Sequence, residues 1–274
     1  MHPRFAKLPT SLAERSRTVR LRPGNIPALL CHPDWISPAP TVIWMHGRTA
    51  NKELDAGRYI RWLKAGIAAV AFDLPGHGER TDARLEGAPG TLAVLAELIA
   101  DIDLVVEALA DPIWQGVFDL DRLGIGGMSL GGMAALRRLC DPHDFRCAAV
   151  ECTTGDLWSL YRPEGPKPWG QTFAESEVAP LDPLPHIGAF KPIPLLALHS
   201  EADRIVPWPI QQNFLQRLRE QYAASGAEPH LVRHVTWPTT GAPEEHSGFG
   251  RVGNDAKNIQ TEFLKAHLFD SPAH

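Results

Sequence analysis

The sequence lacks a long apolar run and an excess of basic residues. No stretch of the 274 residues approaches the roughly 20 apolar residues of a membrane span, and the first residues contain no apolar core of a secretion signal. Lys and Arg number 27 against 32 Asp and Glu, a net charge of −5, so nothing indicates binding to nucleic acid or to an anionic membrane. These absences predict a cytoplasmic protein that acts on a small soluble molecule.

Cysteine is also scarce. The four cysteines, Cys31, Cys140, Cys147 and Cys152, have no metal-ligand spacing, so the sequence predicts buried thiols in a reducing compartment and no metal site. Internal repeats and low-complexity tracts are absent as well, which leaves an ordinary folded chain.

Apolar strand patterns alternate with helical ones along the chain. An antiparallel hairpin is predicted within residues 17–31, and further strands at 41–45, 66–72, 123–126, 146–150, 193–199 and 230–237. Helices are predicted at 53–65, 91–109, 133–139, 209–222 and 254–268. This alternation predicts one α/β domain over residues 1–274, with a mostly parallel eight-stranded sheet and helices on both faces.

The alternation stops at about 153–191, a stretch rich in proline and aromatic residues. Unstructured loops of this length are uncommon unless they have a function, so we predict a short lid insertion over the site. Aromatic side chains suit the lining of an apolar substrate pocket, and the candidates are Trp158, Tyr161, Trp169 and Phe173. A rigid, proline-rich surface excursion is the alternative.

The sequence around Ser129 is organised as a sharp turn. Gly127-Met128-Ser129-Leu130-Gly131 matches G-x-S-x-G, in which the glycines permit a tight strand-to-helix turn that exposes the serine hydroxyl. The free N–H groups at the start of the following helix point to the same place, where they would stabilise negative charge.

Two other interpretations of this turn are consistent with the sequence. Gly124-x-Gly126, followed by Glu151 at the end of the next strand, is a partial dinucleotide fingerprint. Ser129 occupies the position of its third glycine, which argues against that interpretation, and no cofactor is predicted. A purely structural glycine turn is the second alternative.

A serine nucleophile needs a base to take its proton and a carboxylate to orient the base. Asp203 follows the strand after the insertion, and His246 lies between the last strand and the last helix. The order Ser129, Asp203, His246 is the one found in α/β hydrolases. Asp203 could instead cap the helix that follows Pro207, and Glu151 is a rival acid because it also ends a strand.

Other histidines have simpler explanations. His234 lies inside the last predicted strand, where a packed side chain is expected. His46 and His77 lie in loops that they would support, since no third ligand with metal-site spacing accompanies them.

Four motifs resemble those of the α/β-hydrolase superfamily: Trp44-Met45-His46-Gly47, Asp73-x-Pro75-Gly76-His77-Gly78, Gly127-Met128-Ser129-Leu130-Gly131-Gly132 and His199-x-x-x-Asp203-x-x-Val206-Pro207. The resemblance covers about residues 40–268. It is closest to small bacterial carboxylesterases related to dienelactone hydrolase and to the catalytic domain of prolyl oligopeptidases.

The resemblance implies roles for individual residues. Ser129 would be the nucleophile, His246 the base and Asp203 the acid, and the backbone N–H groups of Leu130 and Arg48 would form the oxyanion hole. Dienelactone hydrolases carry cysteine at the nucleophile position, so Ser129 favours ordinary ester hydrolysis. The charged side chain of Arg48 either steers an anionic substrate or points to solvent.

The sequence therefore predicts a serine hydrolase that cleaves small or short-chain carboxylic esters without a cofactor. A thioesterase or an amidase or peptidase would use the same three residues. A binding protein that kept the fold without the chemistry is the alternative outside enzymes.

Overall fold

The computed structural model describes residues 8–269, except for the side chain of Trp169. The strands are β1 (Ser16–Leu21), β2 (Ile26–Cys31), β3 (Ala39–Met45), β4 (Ala68–Phe72), β5 (Phe118–Met128), β6 (Cys147–Glu151), β7 (Leu195–Ser200) and β8 (Val232–Trp237). The α-helices are α1 (Thr10–Ala13), α2 (Ala56–Lys64), α3 (Thr91–Leu109), α4 (Leu130–Arg138), α5 (Leu157–Tyr161), α6 (Glu175–Val178), α7 (Trp208–Ala224) and α8 (Gly253–Phe269).

The strands form one eight-stranded sheet in the order β1-β2-β4-β3-β5-β6-β7-β8. β1 pairs with β2, and β2 with β4, in antiparallel fashion. All other neighbours are parallel. The α/β fold with a mostly parallel eight-stranded sheet is thus confirmed, and the carboxyl ends of the six strands from β3 to β8 meet at one edge.

The central strands are apolar because both of their faces are covered. In β3, Ile43 and Met45 pack into one hydrophobic cluster and Val42 and Trp44 into a second one on the opposite face. Alternate residues of a strand point to opposite faces, so each strand contributes to both clusters. This explains why the strand patterns are continuous runs instead of alternating ones.

Helices cover both faces of the sheet. The first cluster holds buried residues of α3, α4 and α7, and the second holds residues of α1, α2 and α8. The apolar residues of each helix therefore face the sheet, and most of the polar ones face outwards.

Most elements differ from the predicted limits by one to three residues, and β5 differs most. β5 begins at Phe118, five residues before the predicted start, because Phe118 and Asp119 pair with the first residues of β3. Residues 119–122 are at least partly exposed and three of the four are charged, so no apolar run marks them. α2 begins at Ala56, since residues 52–55 form turns.

The segment between β6 and β7 contains α5, α6 and short 3₁₀ turns at Pro168–Gly170 and Leu184–Ala189. Asp182 links two parts of this segment, because its carboxylate accepts hydrogen bonds of 2.9 Å from the N–H groups of Leu157 and Trp158 at the start of α5. The helix is thus anchored at the end that lies next to the sheet.

The four cysteines are free and buried, as predicted. Among the described residues, no helix is both long and apolar enough to cross a membrane.

Candidate active site

Ser129 stands alone between the end of β5 and the start of α4. Its φ of 52° and ψ of −118° are a strained conformation for a residue with a side chain. A Cβ on Gly127 would lie 2.5 Å from the carbonyl carbon of Gly131, and one on Gly131 would overlap the carbonyl oxygen of Met45. Glycine is therefore required on both sides of the turn.

Hydrogen bonds fix the backbone of Ser129 in this conformation. Its N–H donates to the carbonyl of Glu151 at 2.8 Å. Its carbonyl accepts from the Thr153 hydroxyl at 2.8 Å and from the Met133 N–H at 2.9 Å. The neighbouring strand β6 and the helix α4 thus hold the serine where its hydroxyl leaves the sheet.

The structure brings together the three residues that the chain order singled out. His246 Nε2 lies 2.9 Å from Ser129 Oγ, and His246 Nδ1 lies 2.8 Å from Asp203 Oδ2. All three residues are at most 5% exposed. When Nδ1–H donates to the carboxylate, Nε2 is free to accept the serine proton.

Asp203 is held independently of the histidine. Its Oδ1 accepts hydrogen bonds of 2.8 Å from the N–H groups of Ile205 and Val206. These bonds form a turn before α7, whose N-cap is Pro207, so Asp203 does not cap that helix. His199 supports the same turn, because its Nε2–H donates to the Val206 carbonyl at 2.8 Å.

The loop that carries His246 depends on its neighbour Glu245. The Glu245 carboxylate accepts from the N–H groups of Thr240 and Gly241 and from the hydroxyls of Ser200 and Thr240, at 2.6–2.8 Å. These hydrogen bonds, led by the one from the Thr240 N–H, lower the pKa of Glu245 to about 2. The carboxylate therefore stays ionised and ties the His246 loop to the end of β7.

Arg48 and Leu130 line the same small pocket as Ser129. The Leu130 N–H is the first of α4 and so has no partner within the helix. The Arg48 guanidinium donates hydrogen bonds to the Thr91 hydroxyl and the Gly87 carbonyl, so contacts within the protein set its direction. Its backbone is thereby held beside the serine.

Two pockets meet at Ser129. The smaller one has a volume of about 230 Å³, including the part open to solvent, and is mostly apolar; it is lined by Arg48, Ser129, Leu130, Met133, Tyr161, Pro168, Ile205 and Val206. The larger one has about 1350 Å³ and includes His246 together with charged residues of α2, β6 and α8. The two sides of the serine therefore differ in size and in polarity.

The four aromatic residues predicted to line a pocket have separate places. Tyr161 lines the smaller pocket beside Ser129, and Phe173 packs edge-on against Tyr161 with ring centroids 5.3 Å apart. The structure does not bring Trp158 to the serine, because α5 turns it towards a groove with Asp182. The Trp169 side chain lies outside the described residues.

Glu151 is engaged elsewhere. Its two carboxylate oxygens accept from the Arg58 guanidinium at 2.7 Å each, and one of them accepts from Gln260 at 3.1 Å. Burial raises the pKa of Glu151, and Arg58 opposes the rise. Since His246 Nδ1 bonds to Asp203, the geometry favours Asp203 over Glu151 as its acid partner.

The remaining histidines contact backbone and neighbouring side chains. His46 accepts from the Leu74 N–H at 3.2 Å and donates to the Gly47 carbonyl at 2.7 Å. His77 donates to the Pro75 carbonyl at 2.8 Å. His234 is exposed instead of packed inside the sheet, because it lies on the edge strand β8.

The dinucleotide alternative is not supported by the geometry. Gly124 and Gly126 both lie inside β5, where a Cβ on Gly126 would overlap the Ala149 carbonyl of the neighbouring strand. These glycines thus allow close strand packing and do not form a turn that could cradle a phosphate.

Cys152 is a neighbour of the site that the sequence did not indicate. Cys152, Asp203 and His246 each place one potential metal-ligating atom within 4.8 Å of the others. Burial raises the pKa of the Cys152 thiol well above its usual value. The thiol therefore stays protonated, a form that does not attack a carbonyl.

The sequence did not indicate two further residues of the site. Thr153 looked like the first residue of the insertion, but its hydroxyl holds the Ser129 carbonyl. Lys257 looked like one of the polar residues of the last helix, but it lines the larger pocket. Neither carries a motif, so only the arrangement of the elements reveals them.

The sheet and the serine turn at its carboxyl edge define an α/β hydrolase. The model of the prolyl oligopeptidase family matches residues 58–268, which is more than half of the chain. The chain belongs to this family and is an enzyme of the serine hydrolase class.

Known proteins similar to this chain include esterases and peptidases. Esterase YjfP of Escherichia coli (strain K12) is 28% identical over 228 residues, which are 78% of this chain and 90% of the esterase. TT1662 from Thermus thermophilus matches with a TM-score of 0.69 and 20% identity over 94% of this chain and 99% of that one. The Pyrococcus horikoshii acylaminoacyl peptidase matches with a TM-score of 0.70 and 18% identity over 94% of this chain, but over 42% of the peptidase.

Proposed function

We propose that the chain hydrolyses small carboxylic esters through a covalent acyl-enzyme on Ser129. The observation that carries the proposal is the hydrogen-bonded chain from Ser129 Oγ to His246 Nε2, at 2.9 Å, and from His246 Nδ1 to Asp203 Oδ2, at 2.8 Å. A serine hydroxyl is a weak nucleophile by itself, and this arrangement supplies the base that activates it. The similarity to Esterase YjfP supports an ester as the substrate.

In the first step, His246 Nε2 takes the Ser129 proton as Oγ attacks the carbonyl carbon of the ester. The carbonyl oxygen becomes negatively charged, and the N–H groups of Leu130 and Arg48 donate hydrogen bonds to it. Each such donor contributes about 3 kcal/mol to transition-state stabilisation in enzymes of this kind. Asp203 stabilises the protonated imidazole and keeps its orientation.

In the second step, the carbon–oxygen bond to the alcohol breaks and His246 gives its proton to the leaving oxygen. The acyl group remains on Ser129. Water then attacks the acyl carbon while His246 accepts its proton, and collapse of this second intermediate returns the proton to Ser129 and releases the acid. Every proton passes through His246, so the proposal requires no cofactor.

The two pockets suggest how the ester is oriented. His246 must reach the leaving oxygen, and it lines the larger pocket but not the smaller one. The alcohol part therefore fits the larger pocket, and the acyl part fits the apolar pocket beside Tyr161. That pocket is the smaller of the two and is lined mostly by apolar side chains, which supports a short acyl group.

A series of p-nitrophenyl esters from acetate to octanoate tests the proposal. We expect kcat/KM to be highest for the shortest acyl groups and to fall as the chain outgrows the pocket beside Tyr161. The Ser129→Ala variant should have no activity above background with any ester. Folding of both proteins is checked by circular dichroism.

Other outcomes would assign a different function. Turnover of acyl-CoA far above simple esters would indicate a thioesterase, and preferential turnover of peptide p-nitroanilides would indicate a peptidase. Folded wild-type protein without turnover of any of these substrates would indicate a binding protein.

A further inference from the structure

Lys257 is an unusual residue in the larger pocket. It lies in the second turn of α8, is partly buried and faces the pocket that contains Ser129 and His246. The hydrogen bond of its Nζ is a long one of 3.5 Å to the Gly253 carbonyl of its own helix. Within residues 8–269 it forms no ion pair with a carboxylate, so its ammonium group has unused donors.

The other charges of this pocket already have partners. Arg58 binds both oxygens of Glu151 at 2.7 Å. Asp55 accepts from the Trp44 ring N–H at 3.0 Å and lies 3.6 Å from the Arg58 guanidinium. The acidic groups are thus committed to Arg58, and neither neutralises Lys257 directly.

The surroundings of Lys257 favour the arrival of an anion. Burial is the main cause that lowers the pKa of Lys257 and Arg58 adds to it, whereas Asp55 and Glu151 act in the opposite direction. A charge that has lost part of its hydration is stabilised when an opposite charge with hydrogen-bond acceptors comes into contact. A carboxylate supplies both.

We propose that the larger pocket selects esters whose alcohol part carries a carboxylate, and that the Lys257 ammonium binds that carboxylate. The inference rests on the proposed function, because the alcohol part is assigned to this pocket through the proton that His246 delivers. Lys257 thereby determines specificity and takes no part in bond making or breaking.

The experiment compares 3-acetoxybenzoate with 3-acetoxybenzamide, which has the same shape and no charge. The enzymes are the wild type, Lys257→Met, and the matched control Lys265→Met, which changes a lysine on the same helix that pairs with Glu262 outside the pocket. We expect Lys257→Met to lose about tenfold in kcat/KM for the carboxylate ester only, which is the size of one charge-assisted hydrogen bond. The loss should appear mainly in KM, because the contact exists before and during the reaction.

Two further measurements test the proposal without depending on the folding of Lys257→Met. Lys257→Arg keeps the charge and should retain most of the preference for the carboxylate ester. Raising sodium chloride from about 0.05 M to about 0.5 M should lower the wild-type kcat/KM for the carboxylate ester and leave that for the amide unchanged, because salt screens the attraction.

The inference is overturned if Lys257→Met changes kcat/KM equally for both esters, or if the wild-type ratio does not respond to salt. Such a result would leave the proposed function intact, since both esters would still be hydrolysed through Ser129. Absence of turnover of either ester by folded wild-type protein would instead refute the proposed function.

Discussion

At the scale of single residues, the conformation of Ser129 depends on the backbone around it. A residue with φ of 52° remains in this conformation only where its surroundings hold it there. Glu151 and Thr153 supply that support through hydrogen bonds to the Ser129 N–H and carbonyl. The strained turn therefore depends on residues at the end of the neighbouring strand as much as on its glycines.

The choice between Asp203 and Glu151 as the acid can be tested directly. Asp203→Asn should lower kcat by about 1,000- to 10,000-fold, because the imidazole loses the partner that sets its tautomer. Glu151→Gln should lower kcat far less, but it should cost about 3 kcal/mol of unfolding free energy, since Arg58 keeps a buried charge without its counter-charge. Steady-state kinetics and urea unfolding of both variants measure these effects.

The reverse pattern, a large loss of kcat in Glu151→Gln and a small one in Asp203→Asn, would move the acid role to Glu151. A stable Asp203→Asn protein is expected, because the amide oxygen can still accept from the N–H groups of Ile205 and Val206.

Single residues were predictable where position along the chain carries the information. Asp203 and His246 each follow a strand, and parallel strands end at one edge of the sheet. Chain order was therefore enough to predict that these two residues lie near Ser129. Lys257 could not be found in this way, because a lysine in an amphipathic helix usually faces solvent. Its place beside the pocket depends on how α8 packs against β6.

At the scale of elements, the segment between β6 and β7 gives the site its shape. Its helix α5 carries Tyr161 into the pocket beside Ser129 and Trp158 into a different groove. The composition of the segment indicated an aromatic lining, but the direction of each ring depends on the three-dimensional path of a helix of five residues. A mobile lid over this site remains a prediction.

Truncation of Tyr161 should enlarge the acyl pocket. We expect Tyr161→Ala to raise the octanoate-to-acetate ratio of kcat/KM about tenfold, because each methylene that gains an apolar contact contributes on the order of 1 kcal/mol. Trp158→Ala is the matched control on the same helix, and its ratio should equal that of the wild type. An increase in Trp158→Ala alone would place the acyl group in the other groove.

At the scale of the whole molecule, two apolar layers enclose the sheet. The fold could be predicted because the alternation of strand and helix patterns persists along most of the chain. Limits were less accurate where pairing and not burial defines a strand: Phe118 and Asp119 pair with the start of β3, and the register then shifts before Leu123.

The burial of His46 predicts how the free energy of unfolding depends on pH. His46 uses both ring nitrogens as a neutral ring, and burial lowers its pKa from 6.5 to about 4. Between these values the unfolded chain binds a proton that the folded chain does not, so the free energy of unfolding should fall as the pH falls. The shift corresponds to a loss of about 3 kcal/mol across that window.

Urea unfolding at several pH values between 7.5 and 4 measures this effect. His46→Gln should be less stable than the wild type at pH 7.5 and should show a shallower decline towards pH 4. Glu245 contributes in a lower window, because its pKa falls from 4.5 to about 2 on folding and its stabilisation is lost only below pH 4.5. Identical slopes in wild type and His46→Gln would contradict the assignment to His46.

The most direct test of the account is covalent labelling with a fluorophosphonate, followed by intact mass measurement and peptide mapping. We predict one adduct per chain, on Ser129, formed rapidly by the wild type and far more slowly by His246→Gln. Ser129→Ala should form none. A folded wild-type protein that gains no adduct, or gains it on another residue, would contradict the claim that Ser129 is the activated nucleophile.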